Sequence, residues 1–136
     1  MHRILVCLDR SLRAPKVLAT AVDLARRLDA RLTLFRSVGL PPVEPVLTSD
    51  EDVVERLTRE ANQELFRIGQ EVPPELLGGI TVRVGTPWDG ICQEAKAMAA
   101  DLVIVGSHGY EGLDRVLGTT AAKVVNHAAC SVLVVR

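Results

Sequence analysis

The richest group of chemistry-bearing residues follows a short apolar run near the end of the chain. Residues 102–105 read LVIV, residues 106–109 read GSHG, and a Gly-Thr-Thr sequence at 118–120 opens a helical pattern. Glycines let main-chain N–H groups approach a ligand closely, and a helix N-terminus with free N–H groups favours an anion. The segment therefore suits a phosphate group. The glycines could also serve only tight turns, with Thr119 as a helix cap, and spacing alone does not separate the two interpretations.

Polar or glycine residues also follow the other strand-like runs. Asp9 comes after residues 3–8, Ser37-Val38-Gly39 ends the run at 32–37, and Gly85 follows residues 80–84. In open α/β sheets, ligands bind outside the carboxyl ends of the strands, where the strand order reverses. We therefore expect these residues to gather at one edge of a sheet.

The elements that must position these residues alternate along the chain. The β-type runs are 3–8, 32–37, 80–84, 102–105 and 132–135, and helical spacing covers 14–28, a segment that Ser49 can cap, 86–98 and about 118–127. This alternation predicts one α/β domain with a mostly parallel sheet and helices on both faces. Prolines and glycines predict irregular connections at 39–48 and 72–79.

Composition excludes several classes of protein. The 136 residues are 48% hydrophobic and 24% charged, with a net charge of −1, which disfavours a broad basic surface for nucleic acid. No apolar run approaches the roughly 20 residues that span a bilayer. We expect a soluble, cytoplasmic protein with no nucleic-acid or membrane partner. Cys7, Cys92 and Cys130 lack metal-ligand spacing and are predicted to be small buried hydrophobic residues.

Six segments together resemble the universal stress protein (UspA) family over essentially the whole chain. They are RILVCLD, ARLTLFRSV, VRVGTPWDGI, ADLVIVGSHG, LGTTAAKVV and CSVLVVR. The resemblance implies a single UspA-type domain over residues 1–136. It also implies a five-stranded parallel sheet of order 3-2-1-4-5, with helices on both faces, of the adenine nucleotide alpha-hydrolase-like fold.

The ATP-binding branch of that family carries a motif close to G-x2-G-x9-G-[ST], which holds ATP phosphates and ribose. Here eight residues (110–117) separate the second and third glycines, one fewer than in the motif. The resemblance implies a nucleotide site at the strand tips and the last helix start, made of Cys7, Asp9, Ser37, Val38, Gly85, Val105, Gly106, His108, Gly109, Gly118, Thr119 and Thr120.

The resemblance also implies roles for individual positions. Asp9 matches the acidic residue near the adenine and ribose, and the main chain at Ser37 or Val38 matches the segment that contacts adenine. Gly85 matches the glycine near the ribose. Arg10 stands where the family often has glycine, and it either crowds the site or reaches a phosphate.

These features imply a universal stress protein that binds ATP, ADP or AMP, with or without Mg²⁺, and acts as a stress-response sensor or switch. The family commonly dimerises through its last strand, so we expect a homodimer through residues 131–136 and further, unidentified protein partners. Because Asp9 is the one acidic residue at a strand tip and the histidines lack ligand spacing, we assign no catalytic or metal-binding residue. The alternatives are a nucleotide-free dimeric interaction module and a slow ATP hydrolase.

Overall fold

Strands and helices alternate from end to end of the computed structural model, which describes residues 2–39, 50–107 and 117–136, with only the backbone at 50–52. The strands are β1 (Arg3–Cys7), β2 (Arg31–Val38), β3 (Leu77–Val84), β4 (Leu102–Gly106) and β5 (Ser131–Val135). The described helices are α1 (Ala14–Leu28), α2 (Asp50–Gly69), α3 (Pro87–Ala97) and α4 (Thr119–His127).

The five strands form one parallel sheet in the order β3-β2-β1-β4-β5, which confirms the predicted fold. β1 is the central strand and β4 lies beside it, and both are buried along their apolar runs, Ile4 to Val6 and Leu102 to Val105, as strands covered on both faces require. The chain passes from β3 at one edge to β4 at the centre, so the order reverses between β1 and β4. The carboxyl ends of these two strands therefore frame the crevice in which α/β sheets bind ligands.

Two apolar layers cover the sheet. On one face, α1 and α2 pack through Val17, Ala21, Ala25 and Leu65 against strand residues such as Ile4 and Leu34. On the other face, α3 and α4 pack through Ile91, Ala95, Ala121 and Val124 against Leu5, Phe35 and Val103. The helix stripes that bury these residues are the apolar spacings visible in the sequence.

The third strand begins earlier than the sequence predicted. The expected connection at 72–79 contains a short 3-10 turn, Pro74–Leu76, and then the first residues of β3. A Cβ at Gly78 would lie 3.3 Å from the main-chain oxygen of Leu32, and the pairing with β2 shifts register between Leu32 and Thr33. Gly78 thus permits a close approach to β2, a role for strand glycine that composition does not distinguish from a turn.

Two further predictions can be compared with the described residues. Cys7, Cys92 and Cys130 are free thiols in residues of intermediate exposure, and the Cys7 thiol is the most deeply buried of the three, so the prediction of small buried residues holds only in part. The segment 40–48, the cap Ser49 and residues 108–116 lie outside the described residues. No helix in the described part of the chain is long and apolar enough to cross a membrane, and the cytoplasmic location stays a prediction.

Candidate functional site

A cavity of about 520 Å³ opens at the carboxyl ends of the strands. It takes in the tips of β1, β2 and β4, the start of α4, and side chains from α2 and α3. Its lining is Cys7, Leu8, Asp9, Arg10, Phe35, Arg36, Ser37, Val38, Gly39, Leu57, Ala61, Pro87, Ile91, Val105, Gly106, Ser107, Gly118, Thr119, Thr120 and Ala121. The volume falls within the usual range for small-molecule sites, and the mixture of apolar walls and few polar groups is typical of them.

The start of α4 presents main-chain donors to this cavity. Gly118 is the residue before the first helical turn, and no side chain caps that turn. Its own N–H donates to the carbonyl oxygen of Ser107 at 2.7 Å, so it is already used. The N–H groups of Thr119, Thr120 and Ala121 have no partner within the helix, because a helix leaves its first turn unpaired. Together with the two threonine hydroxyls, they are hydrogen-bond donors of the kind that binds anions at helix starts.

Ser107 fixes the position of this helix start. Its side chain is 1% exposed, and its N–H donates to the carbonyl oxygen of Val135 at 2.8 Å while its carbonyl oxygen accepts from Gly118. The two bonds join the end of β4 to β5 and to the start of α4. The main-chain N–H groups of Thr119 and Thr120 are therefore held in a fixed position relative to the sheet.

At the tip of β1, Asp9 is held by its own turn. The Asp9 Oδ1 atom accepts a hydrogen bond of 2.9 Å from the N–H of Ser11, which is the local turn that short carboxylates favour. The residue is exposed and lines the cavity. Its carboxylate can therefore accept hydrogen bonds from a ligand hydroxyl in a fixed orientation.

The tips of β2 and β3 are tied together beside the cavity. The N–H of Gly85 donates to the carbonyl oxygen of Val38 at 2.9 Å, and the Ser37 hydroxyl donates to the carbonyl oxygen of Gly85 at 3.1 Å. Gly85 has φ +132, a conformation that glycine adopts readily and other residues do not. Gly85 does not line the cavity itself, and instead fixes the two β2 residues that do.

An arginine that the sequence reasoning missed is buried beside the tips of β1 and β2. Arg36 is 7% exposed; its Nε donates to the carbonyl oxygen of Leu8 at 2.9 Å and its Nη2 donates to that of Asp9 at 3.4 Å. Its Nη1 pairs with the carboxylate of Glu64 in α2. Arg10 reaches the other oxygen of the same carboxylate at 3.1 Å. Glu64 thus joins α2 to β2 and to the turn after β1 at the edge of the cavity.

The thiol of Cys7 is part of the cavity wall. Desolvation by burial raises its pKa far above the ordinary range, and nearby Cys92 and Asp9 add to the effect. A thiol is nucleophilic as its thiolate, so Cys7 acts here as an apolar wall atom and not as a nucleophile.

Most of the predicted site residues meet at this cavity. Those that line it are Cys7, Asp9, Ser37, Val38, Val105, Gly106, Gly118, Thr119 and Thr120, and Gly85 lies behind them. His108 and Gly109 lie outside the described residues. Sequence reasoning missed Arg36 and Glu64; the signal for Arg36 was a charged residue inside the otherwise buried run LFRSV, whereas Glu64 is one of several acids on α2.

A family model described as the universal stress protein family matches residues 1–136. This chain belongs to the universal stress protein family. Among curated family members, universal stress protein Sll1388 of Synechocystis is 33% identical, over 98% of this chain and 97% of its own. Universal stress protein A homolog 1 of Coxiella burnetii is 30% identical, over 99% of this chain and 97% of its own.

Solved structures of universal stress proteins share the architecture. The protein UspA from Lactobacillus plantarum superposes with a TM-score of 0.81 at 29% identity, covering 99% of this chain and 97% of its own. A universal stress protein in complex with cAMP superposes with a TM-score of 0.62 at 23% identity, covering 99% and 96%. At that identity the second likeness concerns the fold alone.

Proposed function

We propose that this universal stress protein binds an adenine nucleotide, ATP, ADP or AMP, in the cavity at the strand tips. The observation that carries the proposal is that one cavity of about 520 Å³ contains both an exposed carboxylate, at Asp9, and first-turn donors at Thr119 and Thr120 that have no partner within their helix. The donors match phosphate oxygens, and the carboxylate matches ribose hydroxyls. Apolar side chains such as Phe35 and Ile91 lie along the same cavity and suit a base.

A structural relative supports the ligand class. The universal stress protein solved with cAMP demonstrates that this fold can hold an adenine nucleotide. The helix-start donors and the Asp9 carboxylate are the features of the present chain that extend this capacity to it. Magnesium would bind through phosphate oxygens with few protein ligands, and Asp9 is the one carboxylate among the described residues that line the cavity.

We propose further that nucleotide binding acts as a switch. Gly109 and Gly118 match two glycines of the family motif, and eight residues separate them. On either side of this segment, Gly118 donates a hydrogen bond to the carbonyl oxygen of Ser107. A phosphate on Thr119 and Thr120 would contact the chain where this segment enters α4. Binding would thereby change the surface that protein partners meet, which gives the chain a stress-sensor role without catalysis.

Dimerisation is a separate part of the proposal. β5 pairs only with β4 among the described strands, so its outer edge presents main-chain groups that a second copy can pair with. We propose a homodimer with an isologous contact through residues 131–136. Analytical ultracentrifugation of the full chain across a concentration series tests it; a monomer at all concentrations would contradict it.

Direct titration tests the nucleotide proposal. Purified protein would be followed by thermal unfolding with ATP, ADP and AMP, each with and without Mg²⁺. A ligand at 100 times its dissociation constant stabilises a protein by about 2.7 kcal/mol, a shift of several degrees at this size. Saturable shifts would support the proposal. No shift at millimolar nucleotide would leave the nucleotide-free interaction module as the better account.

A further inference from the structure

Arg10 is the one exposed cation among the described side chains that line the cavity. The other cationic lining residue described is Arg36, whose guanidinium is buried and occupied by Leu8, Asp9 and Glu64. Arg10, by contrast, leaves half of its side chain exposed, 50%, and makes a single described ion pair, with Glu64 at 3.1 Å. A ligand in the cavity therefore meets Arg10 rather than Arg36.

The contact that holds Arg10 is weak and replaceable. An exposed ion pair contributes little to stability, because both partners are also solvated by water. Glu64 has a second and more buried partner in Arg36. If Arg10 turns toward a ligand, Glu64 remains paired, so the movement leaves no buried charge without a counter-ion.

The charges around Arg10 indicate an anionic group as its partner. Among the described residues that line the cavity or pair with its lining, the charged groups are the guanidinium groups of Arg10 and Arg36 and the carboxylates of Glu64 and Asp9. Because Glu64 is also paired with Arg36, Arg10 is the described lining cation that can balance the charge of Asp9 or of a ligand. Without Arg10, the Asp9 carboxylate would repel any phosphate brought near it. Arg10, the next residue in the chain, brings to the same cavity a planar fork of N–H donors that matches phosphate oxygens.

The position of Arg10 differs from that of the helix-start donors. Thr119 and Thr120 lie beyond β4, whereas Arg10 follows Asp9 at the tip of β1 and leans toward α2. On the proposed function, the first group takes the 5′-phosphates and Asp9 takes the ribose hydroxyls. Where an acidic residue binds a ribose hydroxyl in dinucleotide sites, a nearby arginine accommodates a phosphate on that hydroxyl. Arg10 follows Asp9 directly in the chain and lines the same cavity.

We propose, resting on the nucleotide-binding function above, that Arg10 makes the cavity selective for adenine nucleotides with a phosphoryl group on the ribose 2′ or 3′ oxygen as well as at the 5′ end. The ligand class is then a nucleoside bisphosphate or a nucleotide linked through its ribose hydroxyl. ADP carries the same two phosphoryl groups at one end only, so it lacks the group that Arg10 contacts.

The test compares isomers of equal composition by isothermal titration calorimetry. Adenosine 3′,5′-bisphosphate and adenosine 2′,5′-bisphosphate are measured against ADP on the wild-type chain, on Arg10→Gln, and on Arg26→Gln. Arg26 is an exposed arginine of α1, and its substitution lowers the net charge equally. Neither substituted side chain is buried, so unfolding temperatures should change little.

The expected result is that one bisphosphate isomer binds the wild type at least about tenfold more tightly than ADP. One charge-assisted hydrogen bond, here between Arg10 and the additional phosphate, accounts for a difference of that size. Arg26→Gln keeps this preference and Arg10→Gln removes it, and the preferred isomer identifies the oxygen. Equal affinity of the wild type for the isomers and ADP, or a preference that survives in Arg10→Gln, would overturn the proposal while leaving nucleotide binding intact. If no adenine nucleotide binds the wild type, the proposed function itself fails.

Discussion

The Nε atom of Arg36 donates a hydrogen bond of 2.9 Å to the main-chain carbonyl oxygen of Leu8. A side chain near the end of β2 thereby satisfies a carbonyl group just after β1, where the chain leaves the sheet toward α1. Buried main-chain carbonyl groups are costly without a partner. The bond, with the Glu64 pair on the same guanidinium, holds the tip of β1 and so sets where Asp9 and Arg10 stand.

Removing the Arg36 guanidinium should destabilise the fold. Arg36→Met keeps much of the volume but leaves the carbonyl oxygen of Leu8 unpaired and deprives Glu64 of its buried partner. We expect the free energy of unfolding, measured by urea denaturation, to fall by about 2 kcal/mol, as for loss of a charged hydrogen bond.

Arg83→Met is the control for this prediction. The ion pair of Arg83 with Glu94 is longer, 3.5 Å, and partly exposed, so its loss should lower the free energy of unfolding by less than about 1 kcal/mol. Equal losses would contradict this role of Arg36.

Two glycines at opposite ends of β3, Gly79 and Gly85, distinguish the effect of backbone conformation from the effect of available space. An added Cβ meets nothing within 4 Å at either Gly79 or Gly85, but only Gly85 has a positive φ, +132. Gly85→Ala should therefore lower stability by about 1 kcal/mol or more through backbone strain, whereas Gly79→Ala should not. Because Gly85 bonds to Val38 and Ser37, the first variant should also weaken nucleotide binding. Thermal unfolding and titration would check both effects, and equal behaviour of the two variants would argue against the strain.

Burial of the Cys7 thiol predicts a loss of stability at high pH. Desolvation raises its pKa in the folded chain, whereas the unfolded chain has an ordinary thiol pKa of about 8.5. Above that pH the unfolded state releases the proton and the folded state keeps it. The stabilising contribution is therefore complete below about pH 8 and declines as pH rises further.

Cys7→Ala should flatten this decline. Urea unfolding at intervals between about pH 7 and pH 11 would give the slope of stability against pH for both proteins, and comparing slopes removes the baseline cost of the substitution. Cys92 and Cys130 also have raised pKa values, so part of the decline should remain. An identical slope in the variant would mean that Cys7 titrates normally in the folded chain.

The sheet was predictable from sequence because its signals are local. The runs at 3–8 and 102–105 are almost purely apolar and mark the covered central strands, and the stripe from Val17 to Ala25 marks a helix face. The start of β3 was missed because Gly78 and Gly79 also suit a turn, and only their approach to β2 distinguishes the two. The cysteines lie in apolar runs, but each residue has intermediate exposure, which residue type does not reveal.

The lining of the candidate site was predictable where it consists of strand ends and the helix start. Asp9, Ser37, Gly106 and Thr119 each follow or end a recognisable element, so topology brings them together. The arrangement of Arg36, Glu64 and Arg10 could not be predicted, because the three residues come from β2, α2 and the turn after β1. Their pairing depends on how α2 packs on the sheet, and no spacing in the chain records it.

A pair of substitutions at Gly118 tests the central claim most directly. Gly118 has an extended conformation at the residue before α4, a position that Asp and Asn occupy favourably. Both variants should therefore fold at least as well as the wild type. Gly118→Asp adds a negative charge at the proposed phosphate position, whereas Gly118→Asn adds a side chain of the same shape without charge.

The measurement is the ATP dissociation constant of the wild type and both variants, by isothermal titration calorimetry at constant ionic strength. Phosphates bound at the start of α4 predict saturable binding to the wild type, none detectable to Gly118→Asp, and intermediate or unchanged binding to Gly118→Asn. ATP binding of equal affinity to Gly118→Asp and the wild type, or no binding to the wild type, would contradict a phosphate site at Thr119 and Thr120.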